Sequence, residues 1–366
     1  MDININRTAL LPSLQIVNGV IERRQPLPIL VNLLLSVSEN EISFSGSDME
    51  VELISTIKQD NKSTGEITLP GKKLLDICRA LPEGADITIK INGDKALVKS
   101  GKSKFSLSTL PAVEYPIIEI GEKLAEFSLK QTVFKEILEK TAFSMAQQDV
   151  RYYLNGLLLE ISNGQIRAVA TDGHRLALCD TETEVSAVEK QQIIVPRKGV
   201  VELIRLLDDK EKEVNVIITS NHIRVEFEEL TFTSKLIDGK FPDYDRVIPE
   251  VDHPQLLADR EQLKQSLTRA SILSNEKYRG VRISLEKNKL RALAHNPEQE
   301  EAEEELDVEY DGQELEIGFN VSYLLDALGI IKTKKVRIAI KDPNSSCLLL
   351  PETKDNCKYV VMPMRL

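Results

Sequence analysis

The chain has 366 residues and a formal net charge of −11; 42% of its residues are hydrophobic and 29% charged, the balance of an ordinary globular protein. At roughly 100–200 residues per domain that length gives two or three domains, and no apolar run approaches the roughly 20 residues of a membrane span. The acidic total argues against nucleic acid as a partner, since phosphates are held by Lys and Arg, yet it leaves room for a local basic surface among the 47 Lys and Arg.

In chain order, Met1–Val20 has no basic segment followed by an apolar core, so no signal peptide is expected. An amphipathic helix is predicted over Leu10–Val20, followed by a basic loop at Arg23 and Arg24 and by strands from Leu33 through Ile42 to Asp48. Pro70–Arg79 reads as a second helix that starts on Pro, where a missing N–H is harmless. Ile87–Ile91 alternates as a strand. Lys102–Leu107 does the same, with Lys102 and Lys104 on one face and Phe105 and Leu107 on the other.

After a linker over Tyr115–Glu126 the pattern returns. Leu33–Asp48, moved by 124 positions without a gap, lands on Leu157–Asp172. The second copy has a helix over Gln131–Phe143, with Val133, Phe134, Ile137, Leu138 and Thr141 on one face. A polar and aromatic loop at Gln147–Tyr153, a helix at Pro196–Arg205 and a strand at Val214–Ile218 follow. Beyond a second linker at Pro249–Pro254, Gly280, Ile283, Leu290, Ala292 and Ala294 stand where Gly156, Leu159, Ile166, Ala168 and Ala170 stood. The third copy adds helices at Glu261–Leu273 and Asn320–Leu328, with Asn320 a good N-cap, and a strand at Val336–Ile340. The fold class is therefore α+β, three repeats of helix, strands, helix, strands, with helices on one side of mostly antiparallel sheets. The domains are expected at 1–121, 127–247 and 248–366.

Lys72, Asp76 and Arg79 share a helical face, and Lys198, Glu202 and Arg205 repeat it in the second copy. One such face is ordinarily just solvated; its repetition suggests a surface that tracks a duplex by its phosphates. Asp172 and His174 invite an acid–base reading and hence a hydrolase, but an Asp-Gly hairpin turn explains them better. The four His show no metal-ligand spacing. Cys78, Cys179, Cys347 and Cys357 contain no C-x-x-C pair and read as thiols, mostly buried, in a reduced, cytosolic setting.

Thr171–Leu176, Ser234–Tyr244, Gly318–Tyr323 and the ending Tyr359–Leu366, in that order along the chain, closely resemble the bacterial β sliding clamps, the β subunits of DNA polymerase III. The resemblance runs end to end. It implies three DNA-clamp domains per chain and two chains in a six-domain ring, helices lining the hole and sheets outside. It implies no catalysis, no cofactor and no metal. Partners would be duplex DNA without sequence preference, the polymerase III catalytic subunit, the clamp loader, and replication and repair proteins carrying clamp-binding peptides. By the same resemblance, Arg24, Lys72, Arg79, Gln148, Tyr152, Tyr153, Lys198 and Arg205 would face DNA. The peptide pocket would be Leu154, Thr171, Gly173, His174, Arg175, Leu176, Pro242, Arg246, Val247, Asn320, Tyr323, Ser346, Val360, Met362, Pro363, Met364, Arg365 and Leu366. Its rim has Asp245 and Asn344 where a basic and an apolar residue are the expected pattern. The head-to-tail dimer seam would place Lys102, Lys104, Phe105 and Leu107 against Ile272, Leu273, Glu298, Glu300, Glu301, Glu303 and Glu304.

Overall fold

The computed structural model describes residues 1–22, 27–162, 164–183, 190–208, 211–251, 255–353 and 356–365. Arg23, Arg24, the end of the linker Pro249–Pro254 and the terminal Leu366 lie outside the described residues.

One order of elements occurs three times. The first copy runs β1 (Asp2–Asn6), α1 (Arg7–Val17), β2 (Asn32–Val37), β3 (Glu41–Ser47), β4 (Val51–Lys58), β5 (Gly65–Pro70), α2 (Gly71–Ala80), β6 (Asp86–Asn92), β7 (Lys95–Ser100) and β8 (Ser103–Ser108). The second runs β9 (Lys123–Lys130), α3 (Gln131–Ala142), β10 (Gly156–Ser162), β11 (Gln165–Thr171), β12 (Arg175–Glu182), β13 (Gln191–Pro196), α4 (Arg197–Leu206), β14 (Glu213–Thr219), β15 (His222–Glu226) and β16 (Leu230–Lys235). The third runs β17 (Gln255–Asp259), α5 (Arg260–Ser271), β18 (Gly280–Glu286), β19 (Lys289–His295), β20 (Glu301–Asp307), β21 (Leu315–Asn320), α6 (Val321–Ile330), β22 (Lys335–Ala339), β23 (Cys347–Pro351) and β24 (Cys357–Val361).

The repeat is a repeat of the core. Leu33, Leu157 and Val281 are buried at one matched place, and Ile42, Ile166 and Leu290 at another. Burial at alternate residues fixes strand register, because a slip of one would turn each set outward. Side chains cap the helices where the sequence supplies them. Asn6 accepts from the Thr8 N–H, Asp259 from Gln262 and Asn320 from Ser322. The Asn6 cap starts α1 three residues before the expected Leu10, and α1 ends at Val17, before Asn18-Gly19. Pro70 and Pro196 are the last residues of β5 and β13 rather than the first of a helix.

The chain forms two compact units, 1–132 with 201–236 and 133–200 with 237–366. In the first, strands run β1-β6-β7-β8 in one sheet and β5-β2-β3-β4-β16-β15-β14-β9 in another. In the second they run β13-β10-β11-β12-β24-β23-β22-β17 and β20-β19-β18-β21. Each eight-stranded sheet is thus shared by two successive copies through a single antiparallel seam, β4·β16 or β12·β24. The edge strands β8 and β20 end the two four-stranded sheets.

One expectation is corrected. Cys179 and Cys357 are not free thiols: they stand opposite each other on β12 and β24 and are joined by a disulfide. Neither local spacing nor a motif pairs them, since 178 residues separate them and only the seam brings them together. Cys78 and Cys347 are free and buried, as expected.

Candidate functional site

The second unit gathers most of the predicted pocket. Its starting point is the turn between β11 and β12, where Gly173 takes φ +87°, a conformation that favours glycine. Asp172 braces this turn. One carboxylate oxygen accepts from the His174 and Arg175 N–H groups, at 2.9 and 3.0 Å, and the other from Arg175 Nε at 3.0 Å. Thr171 Oγ1 donates to the Arg175 carbonyl at 2.6 Å and accepts from the Gly173 N–H at 3.1 Å. Nothing favours an Asp172–His174 acid–base pair: the carboxylate is committed to the turn, and the His174 ring stacks on Tyr323, centroids 6.4 Å apart.

Arg175 ties four elements together. Besides Asp172 it pairs with Asp326 on α6, donates to the Phe143 carbonyl after α3 at 2.8 Å, and lays its guanidinium 4.6 Å from the Tyr323 ring centroid. Its side chain is 13% exposed, so these contacts act with little water between them. Burial raises the Tyr323 phenol, Asp172 raises it further, and the Arg175 cation opposes both.

The tail is anchored by backbone. Met362 N–H donates to the His174 carbonyl at 2.9 Å, and Met364 N–H to the Gly318 carbonyl at 2.8 Å. Pro363 between them has no N–H to offer, which ends the pairing of β24. Below this tail Leu176 and Val360 face each other across the seam. Both pack in a buried cluster with Leu158, Val169, Phe241 and Tyr244, against which Val247 leans. Leu154 is buried, Pro242 and Arg246 are exposed, and Ser346, Met362, Pro363 and Met364 are half-buried. The arrangement is a firm apolar floor with soft thioether walls, suited to ligands that vary in shape.

A polar network on the same unit holds the floor. Tyr244 donates to Glu160 at 2.7 Å and accepts from Arg167 at 3.2 Å, while Arg167 grips Asp180 with two nitrogens. Burial lifts the Glu160 carboxyl, but bonds from Lys190, Tyr244 and Gln192 outweigh it and hold the group low. Burial pushes the Tyr244 hydroxyl up. Glu160, Arg167, Asp180, Phe143 and Asp326 were not anticipated from the sequence. Phe143 closes a predicted helix, and the partners of the other four lie far apart in the chain.

The rim departs from expectation in a definite way. Arg246 pairs with Asp243 at 2.6 Å, and Asp245 lies 3.9 Å from Arg167. Asn344 is exposed in a turn, its N–H donating to Asp342 at 2.8 Å.

Of the candidate DNA-facing residues in the first unit, Lys72 and Arg79 are exposed on α2, whereas Arg205 is held by Glu202 through two bonds of 2.9 and 2.7 Å. In the second unit Gln148 is exposed with φ +55°, and Tyr152 is 57% exposed. Lys198 lies in the first turn of α4. Tyr153 is half-buried, packed against the Leu176–Val360 cluster and beside Tyr152. Of the seam candidates, Lys102 and Lys104 are exposed, Phe105 is half-buried and Leu107 is buried. Ile272 is 74% exposed, and Leu273 is half-buried. Glu304 is held low by Arg269, which binds it through two nitrogens. Glu298, Glu300, Glu301 and Glu303 are exposed.

Comparison with known proteins gives three family matches in chain order. The N-terminal domain of the DNA polymerase III beta subunit matches residues 1–119, the central domain 128–243 and the C-terminal domain 245–365. The chain is 52% identical to the beta sliding clamp of Pseudomonas aeruginosa and 48% identical to that of Escherichia coli K12, each covered fully on both sides. A crystal structure of a DnaN sliding clamp from Pseudomonas aeruginosa bound to griselimycin matches with a TM-score of 0.97 at 51% identity, with full coverage of both chains.

Proposed function

This chain belongs to the DNA polymerase III beta subunit family, the beta sliding clamps, and from that premise we propose how its own residues serve that role. It is a processivity factor of DNA replication. Two copies, each with domains 1–121, 127–247 and 248–366, join head to tail into a ring with helices inward and sheets outward. The ring holds duplex DNA by topology and carries out no chemistry of its own. It works in the cytoplasm, where the chromosome is copied.

One observation carries the ring. In the seam β4·β16 Leu53 faces Phe232, and in β12·β24 Ala177 faces Tyr359. Both aromatic residues are buried. Within each copy, Phe232 faces Val225 and Tyr359 faces Leu349. The residue at that place in the first copy is Phe105 on the edge strand β8, which faces Val98 of β7 and is only half-buried. On the other edge strand, β20, the place of Leu53 and Ala177 is held by Ala302. A third seam of the same register, β20 against β8 of a second copy, sets Ala302 on Phe105. It also sets Glu303 on Lys104 and Glu305 on Lys102, and it removes both open edges. Phe143 touches Tyr359 at 5.9 Å in the second seam, and Ile272 holds the matching place after α5. Ile272 and Leu273 therefore close on Phe105 and Leu107. The apolar contact supplies the affinity, while the exposed ion pairs, each within about 1 kcal/mol, set register.

Lys72, Arg79, Lys198 and Arg205, with Arg24, Gln148, Tyr152 and Tyr153, supply phosphate and stacking contacts without reading bases. The pocket built on Leu176, Val247 and Val360, walled by His174, Tyr323, Met362 and Met364, takes a short peptide by its apolar side chains. Griselimycin would occupy this place, as would the linear motifs of the polymerase III catalytic subunit, the clamp loader and repair proteins.

The test is the mass in solution. The intact protein is expected to be a dimer and Leu273→Asp a monomer that still binds griselimycin. A monomer in both cases overturns the ring.

A further inference from the structure

We propose that Cys179 and Cys357 form a reversible thiol–disulfide clasp that sets the grip of the pocket; this rests on the pocket reading above. The clasp lies on the ladder that carries the pocket floor. Its rungs run Cys179–Cys357, Leu178–Lys358, Ala177–Tyr359, Leu176–Val360 and Arg175–Val361. One end is the disulfide; the other is the floor, the Arg175 contacts and the start of the Met362–Arg365 tail. The bond joins a central-domain strand to the last strand of the C-terminal domain, so it restrains the tail wall against the turn wall.

Position sets this pair apart from every matched place in the molecule. The counterpart of Cys179 is Ser55 on β4, which faces Leu230 and donates to Ser13 at 2.9 Å. On β20 it is Glu304, held by Arg269. Only the seam beside the pocket carries cysteines. The remaining two are free and buried, and burial pushes the thiols of Cys78 and Cys347 up and away from reactive thiolate. Cys179 and Cys357 are buried as well, and what sets them apart is that they stand opposite each other and that Cys179 lines a cavity.

Cys179 is 4% exposed and Cys357 fully buried, so exchange has to begin at Cys179. Cys179 lines a cavity of about 420 Å³ together with Glu136, Lys140, Asp180, Thr181 and Asn356. That volume is enough for a small thiol to approach Cys179. The exchange balances with a small disulfide as oxidant. Cys179 thiolate attacks one sulfur and expels a first thiolate; Cys357 thiolate then attacks the Cys179 sulfur and expels the second. A dithiol reverses both steps. In a reducing cytoplasm the open form is the resting one, and the clasp closes under oxidative load.

The full-length protein is held in dithiothreitol or in oxidised glutathione, and three things are read: the linked Cys179–Cys357 peptide by mass, griselimycin affinity, and the same affinity in Cys179→Ser/Cys357→Ser. The linked peptide is expected only after oxidation, with affinity falling about twofold to tenfold on reduction, the scale of freeing one or two side chains. The double variant is expected to bind like the reduced protein under both conditions. Absence of the linked peptide from folded, oxidised protein, or equal affinity in the two states, overturns the clasp. Failure of griselimycin to bind in either state while the linked peptide still forms overturns the pocket reading instead.

Discussion

The two seams β4·β16 and β12·β24 share one backbone plan and differ in what it serves. Each begins at a turn braced by an aspartate. Asp48 accepts from the Glu50 and Val51 N–H groups at 2.9 and 2.7 Å, as Asp172 does from His174 and Arg175. After that the residues diverge. Val51 is buried where Arg175 reaches out to Asp326 and Phe143, and Glu52 is buried where Leu176 floors the pocket. The first seam is a closed joint with a misplaced carboxyl in it. The second is a joint whose fourth and fifth residues have become a knot and a floor. Duplication supplied the ladder; a few side chains set one copy of it apart as the proposed binding site.

The largest effect is expected from undoing the knot. Arg175→Ala leaves the second oxygen of Asp172 and the Phe143 carbonyl without their partner, and unfolding should lose about 3 kcal/mol. Griselimycin binding should fall with it. Val51→Ala, at the same place in the other seam, should lose only about 1 kcal/mol. Equal losses in thermal unfolding would erase the distinction. Tyr244→Phe removes the hydroxyl shared by Glu160 and Arg167 and should lose about 1–2 kcal/mol, with the pocket floor loosened.

Glu52→Leu should instead stabilise by about 1 kcal/mol at pH 7. Burial raises this carboxyl, more than the Ile118 N–H and Arg224 lower it, and its second oxygen has no partner among the described residues. The folded form keeps a proton that the unfolded form releases. The penalty is thus absent below the ordinary carboxylate pKa of about 4.3 and grows as pH rises to the folded value. The variant should flatten that slope in denaturant titrations at stepped pH; an unchanged slope would clear Glu52. Arg205→Gln should have the smallest effect. Its charge is already matched by Glu202, so the salt dependence of DNA retention should change by less than about one unit of slope.

The repeat, the fold class, the turn at Asp172 and the apolar tail were legible because each is a local pattern of spacing. The seams were not. Nothing near Cys179 announces Cys357, because a partner strand is chosen by topology across many residues. Arg175 was placed in the pocket, but its work as a knot depends on Asp326 and Phe143, far along the chain in both directions.

The most direct measurement is retention on DNA of two shapes. Once a loader has placed the protein on nicked circles, the ring should stay through gel filtration at moderate salt. It should be lost when a single cut makes the circles linear. Equal dissociation from circular and linear DNA would contradict a topological clamp.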